Sequence, residues 1–306
     1  MAGNLLRSVT RIGILLIGFS SFADAQEVVT GHYQPLFAGG LNSGTLPPGP
    51  LLVLQNSSMY YAATTFRDGN GNKIKGIDEL NIFANRTGAL WVTPWKILGA
   101  NFAVAGGVSV ANLAPNPVVI QGETLQTGVG FGDISVAPIL LGWQWANLYL
   151  RFMDTVFIPS GRFRLGASDN TGKGFWTNMF SLGATYLFPG SRPWHASVTG
   201  RYEIHSNQKG RDLRPGDTLT LEFGFGKKLT DKLDMGPVAF IWHQVTNASG
   251  ADAQDTVKYR LFGAGLEVDY KFRKWFGVKA RGAWEFGAEN SSEGGVFILE
   301  LNFPFT

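Results

Sequence analysis

The sequence predicts an all-β protein: a transmembrane antiparallel up-and-down β-barrel of about twelve strands, preceded by a signal peptide. Three observations predict it. Apolar residues recur with a period of two along most of the chain. The segments joining these stretches alternate between short and long, and aromatic residues gather beside the short ones. Composition agrees: 40 glycines, 13% aromatic and 16% charged residues in a chain of 306 distribute apolar side chains widely without long runs.

Residues 1–25 read as a secretory signal peptide. Arg7 and Arg11 are basic, Ile12 to Phe19 form a short apolar core, and Ala23-Asp24-Ala25 is a small-x-small cleavage site. A run of that length falls well short of the roughly 20 residues a spanning helix needs. Losing Arg7, Arg11 and Asp24 takes the net charge from +3 to +2, and no basic patch suggests nucleic acid. Absence of cysteine excludes disulfides, thiolate metal sites and a lipid-modified N-terminal cysteine. Beyond residue 25 no apolar stretch reaches roughly 18 residues, so a helical membrane protein is excluded.

Residues 26–50 are rich in Gly and Pro, ending in Leu46-Pro47-Pro48-Gly49-Pro50, and cannot supply a ladder strand. They are expected to form a plug or a periplasmic extension, leaving 51–306 as the barrel. The strands fall near 51–66, 79–93, 100–112, 132–143, 146–158, 174–188, 195–206, 217–229, 234–246, 258–270, 275–287 and 295–305. The first two alternate poorly. The last is clearest: Phe297, Leu299, Leu301, Phe303 and Phe305 share one face. Before it, Phe276, Val278, Ala280, Trp284 and Phe286 oppose Lys279, Arg281 and Glu285. Val198, Tyr202 and Ile204 oppose Arg201, Glu203 and His205, and Leu148, Leu150, Phe152 and Val156 oppose Tyr149, Arg151 and Met153, with Asp154 breaking the pattern.

Short connections fall near 94–99, 144–145, 189–194, 230–233 and 271–274. Longer polar ones fall near 67–78, 113–131, 159–173, 207–216, 247–257 and 288–294. Strict alternation with an even strand count returns both termini to the periplasm. A strand in lipid must pair on both edges, so the sheet has to close. Trp91 and Trp95, Trp143 and Trp145, Phe188 and Trp194, and Tyr270 and Trp275 lie beside the short turns as an interfacial girdle would, which favours a barrel over a soluble sandwich.

Several stretches, in order, resemble a known family: Thr45-Leu46-Pro47-Pro48-Gly49, Asp68-Gly69-Asn70-Gly71-Asn72, Trp95-Lys96-Ile97-Leu98-Gly99-Ala100, Gly130-Phe131-Gly132-Asp133, Gly172-Lys173-Gly174-Phe175-Trp176 and Trp284-Glu285-Phe286-Gly287-Ala288. The chain is similar to the MetA-pathway phenol-degradation family, also met as SphA-like outer-membrane proteins, along most of its length after residue 25. The resemblance implies an outer-membrane barrel associated with catabolism of aromatic or other hydrophobic compounds and admitting them through the membrane. Such barrels usually end on an aromatic residue, whereas Thr306 follows Phe305 here.

Alternation places Tyr149, Arg151, Arg201, Glu203, His205, Glu222, His243, Glu267, Asp269, Lys279, Arg281 and Glu285 in the lumen. A ring of mixed charge either selects solutes or braces the wall with ion pairs, since a bore of this size is readily crossed by side chains. Asp68, Asn70, Asn72 and Glu79 match positions 1, 3, 5 and 12 of a calcium loop, but Lys73 stands where that loop needs Gly, and a polar hairpin tip accounts for them. Thr171-Gly172-Lys173-Gly174 lacks the first Gly and the final Ser or Thr of a phosphate loop. His195 and Ser197 have the spacing of a barrel lipid hydrolase, yet they sit at the periplasmic end, away from the outer leaflet. His32, His195, His205 and His243 form no zinc pair.

No cofactor is expected. The expected partners are outer-membrane lipid and lipopolysaccharide, the barrel assembly machinery and small hydrophobic or aromatic solutes. The expected activity is passive uptake without catalysis, with a closed structural or surface-interaction barrel as the alternative.

Overall fold

The computed structural model describes residues 28–75, 79–113, 119–120, 123–124, 128–167, 169–254 and 256–305. The signal-peptide reading of 1–25 lies outside them. Twelve long strands form the wall: β1 (Leu51–Arg67), β2 (Leu80–Ile97), β3 (Ala100–Leu113), β4 (Ile134–Trp145), β5 (Leu148–Ile158), β6 (Thr177–Leu187), β7 (Trp194–His205), β8 (Thr218–Lys228), β9 (Leu233–Gln244), β10 (Arg260–Arg273), β11 (Phe276–Glu289) and β12 (Ser291–Phe305). Each pairs antiparallel with its sequence neighbours. The circle closes where β1 meets β12, with Leu52 opposite Phe305 and Arg67 opposite Ser291. Closure gives every wall strand two partners, the condition for crossing lipid as a sheet.

Outward positions of β7, β8 and β12 carry Val198, Phe223, Phe225, Phe297 and Leu299, all exposed on the barrel surface. Trp95, Trp145, Trp194 and Trp275, also exposed, ring the end that carries the short turns. This is the apolar band with an aromatic edge that a bilayer demands.

One expectation is corrected. The supposed long loop at 288–294 is a tight hairpin at Asn290, whose φ is 46°, because the polar run after it turns inward and is satisfied there. Glu293 binds Arg67 Nε at 2.8 Å and accepts from Ala288 N at 2.9 Å. Ser292 Oγ lies 2.9 Å from Tyr61 Oη. Polarity here marks a buried network, not a loop.

The weak alternation of β1 and β2 also has a cause. Toward the loop-rich end their inner faces are apolar, with Met59, Tyr61, Ala63, Phe66 and Ile82 buried. Their outer faces carry Asn56, Ser58, Asn85 and Thr87, which bond one another: Asn56 Nδ2 donates to Asn85 Oδ1 at 3.0 Å and to Thr87 Oγ1 at 2.8 Å, and Asn85 Nδ2 to Ser58 Oγ at 2.9 Å. The inner apolar side chains join Phe240, Trp242, Tyr259 and Ile298 in one cluster that also takes Val28, Leu36 and Leu41. Part of the lumen is thus a packed core.

Candidate functional site

Residues 28–50 run inside the barrel, and the wall residues that hold them are mostly charged. Near the loop-rich end, His32 stacks on Phe157 with ring centroids 4.9 Å apart and meets the edge of Phe175 at 5.0 Å. Its Nε2 bonds Asp133 Oδ2 at 2.9 Å and its Nδ1 bonds Thr177 Oγ1 at 2.7 Å. Burial lowers the His32 pKa against the pull of Asp133, so the ring is neutral and donates from Nε2.

Three wall glutamates then accept the backbone of this segment. Glu203 on β7 takes His32 N at 2.7 Å and Tyr33 N at 3.0 Å. Glu222 on β8 takes Leu36 N at 2.6 Å, Tyr33 Oη–H at 2.8 Å and Arg201 Nε at 2.9 Å. Glu267 on β10 takes Leu41 N at 3.2 Å and Arg281 Nε at 2.7 Å. Bonds to an ionised acceptor contribute about 1.5–3 kcal/mol each. They answer a need, because a segment without a ladder leaves its amides unsatisfied in a dry interior.

The backbone must come very close to do this. A Cβ on Gly40, whose φ is 95°, would collide with the Glu267 carboxylate, and one on Gly224 of the facing wall would lie 2.8 Å from Gly40 O. Glycine on both sides of the contact permits the approach.

Further along, Asn42 Nδ2 donates to Asp234 Oδ2 at 2.9 Å and Gly44 N to Thr185 Oγ1 at 2.9 Å. Leu46 then packs with Val92, Ala103 and Leu140. Beside this segment the lumen holds a cavity of about 620 Å³. It touches Asp133, Thr171 and Lys173 at the loop-rich end and Thr230, Asp231 and Lys232 at a short turn of the opposite end. Between these ends lie Arg86, Ala105, Ser135, Arg151 and Met153.

The family described as "Putative MetA-pathway of phenol degradation" matches residues 63–301. The chain belongs to this family. No curated protein sequence matches it. Among solved structures, the COG4313 outer membrane channel from Pseudomonas putida F1 aligns with a TM-score of 0.70 at 13% identity, covering 90% of this chain and 100% of that one. The translocator domain of the autotransporter NalP from Neisseria meningitidis aligns at 0.50 and 14% identity, covering 85% and 90%. At such identities the likeness is one of fold. A closed barrel with a lipid-facing belt, in a chain of the phenol-degradation family, places this protein in the bacterial outer membrane.

In this family member the residues expected in the lumen divide into groups. Arg201, Glu203, Glu222, Glu267 and Arg281 are buried against residues 28–50 or in ion pairs. Glu285 is buried beneath Tyr61, whose hydroxyl donates to it at 2.7 Å. His205 Nδ1 meets Thr177 Oγ1 at 2.7 Å. Lys279 lies 3.5 Å from Glu267 and 3.8 Å from Asp269. Tyr149, Arg151, Asp269 and Lys279 line the cavity, and the paired Arg201 and Arg281 also border it.

His243 is a correction: it sits on the outer face of β9, because its neighbours Trp242 and Gln244 are both buried inside and a strand alternates. The lumen takes Trp242, which packs edge-on against Tyr259 at 4.8 Å. Sequence reasoning missed Arg86, which lies on the poorly alternating β2. It also missed Asp133 and Asp234, which lie next to a turn and a strand end.

Asp68 uses its carboxylate on its own turn, accepting from Asn70 N at 2.9 Å and Asn72 N at 2.8 Å. Those amides hold its pKa below the usual value. Glu79 is exposed, and no three acidic, His or Cys side chains among the described residues gather as a metal site. His195 Nε2 faces Asp234 Oδ1 at 2.8 Å, whereas Ser197 Oγ faces Thr185 Oγ1 at 2.9 Å. The imidazole is therefore committed elsewhere, and the two do not form a nucleophile–base pair.

Proposed function

We propose that this protein is an outer-membrane channel for passive uptake of small hydrophobic or aromatic compounds, without catalysis, in which residues 28–50 act as a plug that narrows the bore. The observation that carries the reading is the cavity of about 620 Å³ beside that segment, which touches residues of both ends of the barrel. Its volume suits one small organic molecule. Its wall mixes Met59, Leu90, Ala137, Leu140 and Met153 with a few polar groups, a lining that receives an apolar body and orients a polar end. Membership of a family described by phenol degradation supports the aromatic class. Lipid and lipopolysaccharide surround the belt, and the assembly machinery of the outer membrane inserts it.

A closed, structural barrel is the second reading. It is favoured by the packed core in the lumen and by the buried Arg201–Glu222 pair at 2.9 Å. Single-channel recording of the refolded mature protein separates the two, with toluene, phenol and a long-chain fatty acid as added solutes. Discrete openings altered by one solute support the channel. Silence from protein whose gel mobility is heat-modifiable supports the closed barrel.

A further inference from the structure

The plug covers part of the charge in the lumen and leaves the rest facing the cavity. Glu203, Glu222 and Glu267 accept its backbone amides, and none of the three lines the cavity. The cavity is lined by Asp133, Asp234, Asp269, Glu300, Arg201 and Arg281, each paired with an oppositely charged or imidazole side chain, and on the other side of the barrel by two further guanidinium groups, Arg86 on β2 and Arg151 on β5. Among the described residues neither has a carboxylate in salt-bridge contact. The carboxylate that acts on Arg86 through space, Glu300, is bound by Arg281 at 3.2 Å and by Asn302 at 2.9 Å. The one that acts on Arg151, Glu222, is bound by Arg201 and by the plug.

Arg86 is also held in place. Its Nη2 donates to Ser135 Oγ at 3.1 Å, and its guanidinium lies over Gly107, where a Cβ would stand 2.7 Å from Cζ. The fit is that of a side chain laid along the wall with its remaining donors facing the cavity. Ser135 and Gly142, the β4 residue opposite Arg151, are seven positions apart on β4 across a bulge and six on β5, roughly 20 Å of backbone along the strand. The two arginines are therefore successive stations, with Ala137, Leu140 and Met153 between them.

We infer that the solute is a hydrophobic organic acid, its carboxylate passing from Arg86 to Arg151 while its apolar body slides over Ala137, Leu140 and Met153. This rests on the channel reading and names its substrate class. A planar guanidinium with free donors is the group that best recognises a carboxylate. Each cation without a carboxylate partner in a narrow bore repels a cationic solute and attracts an anionic one.

The test records the refolded mature protein in a planar bilayer under a KCl gradient, then with 4-ethylbenzoate or its neutral counterpart 4-ethylbenzyl alcohol. Wild type should prefer chloride, and the acid should interrupt current at about tenfold lower concentration than the alcohol, one charge-assisted hydrogen bond's worth. Arg86→Gln and Arg151→Gln should each lessen both effects, while Lys75→Gln, in an outer loop away from the cavity, should change neither. Heat-modifiable mobility confirms that each variant is folded. Openings that favour potassium, or equal sensitivity to acid and alcohol in every variant, overturn the inference and leave the channel standing. A folded barrel that never conducts overturns both.

Discussion

Two sides of one lumen meet the same problem, buried charge, and resolve it differently. On the side built by β7, β8 and β10, Glu203, Glu222 and Glu267 accept the amides of residues 28–50, Glu222 and Glu267 are also paired with arginines, and none of the three reaches the cavity. On the side built by β2 and β5, arginines face a cavity. On both sides successive side chains point alternately inward and outward. The difference arises from where a segment without secondary structure comes to lie, and it teaches that a charged residue in a barrel is bracing or pathway according to what covers it.

Removing residues 28–50 should break the comparison outright. It uncovers Glu203, Glu222 and Glu267, so conductance should rise severalfold and ion preference should move from chloride toward potassium, read as a shift in reversal potential. An unchanged preference would mean that the glutamates do not shape the field in the bore.

Arg201→Ala and Arg151→Ala sharpen it next. The first strands a buried carboxylate and should cost about 3–5 kcal/mol in urea-induced unfolding, while the second has no ion pair to lose and should cost under about 1 kcal/mol. Equal losses would erase the distinction between the two sides.

Gly40→Ala should cost about 1–3 kcal/mol, because a side chain there meets Glu267 in a backbone conformation that disfavours one. Noise from a loosened segment should accompany it in single-channel traces.

The smallest effect concerns pH. Burial lowers the His32 pKa from 6.5, so the folded state binds fewer protons there than the unfolded one. Its contribution is complete above 6.5 and is lost as pH falls below that value. Acidification from pH 7 to pH 5 should therefore lower the unfolding midpoint slightly, and less so in His32→Gln.

The wall was legible in the sequence because lipid imposes alternation on nearly every strand, and the short turns with their tryptophans follow from the same constraint. Inward placement of Arg151, Arg201, Glu203, Glu222 and Glu267 was legible for that reason. Their division was not, since residues 28–50 carry no periodicity and the contacts that place them depend on glycine apposition, as at Gly40 and Gly224. Strands β1 and β2 concealed Arg86 because a polar cluster faces out and an apolar core faces in, inverting the expected pattern. His243 misled for a related reason: an imidazole beside a tryptophan reads as the polar, lumenal partner, yet here the tryptophan is the one that packs inside.

The plug lies immediately before β1, but the carboxylates that hold it come from far down the chain, with separations of 171, 186 and 226 residues to Glu203, Glu222 and Glu267. Contacts so distant form late. During assembly the first segment to reach the membrane should be among the last to find its place, waiting until most of the wall exists around it.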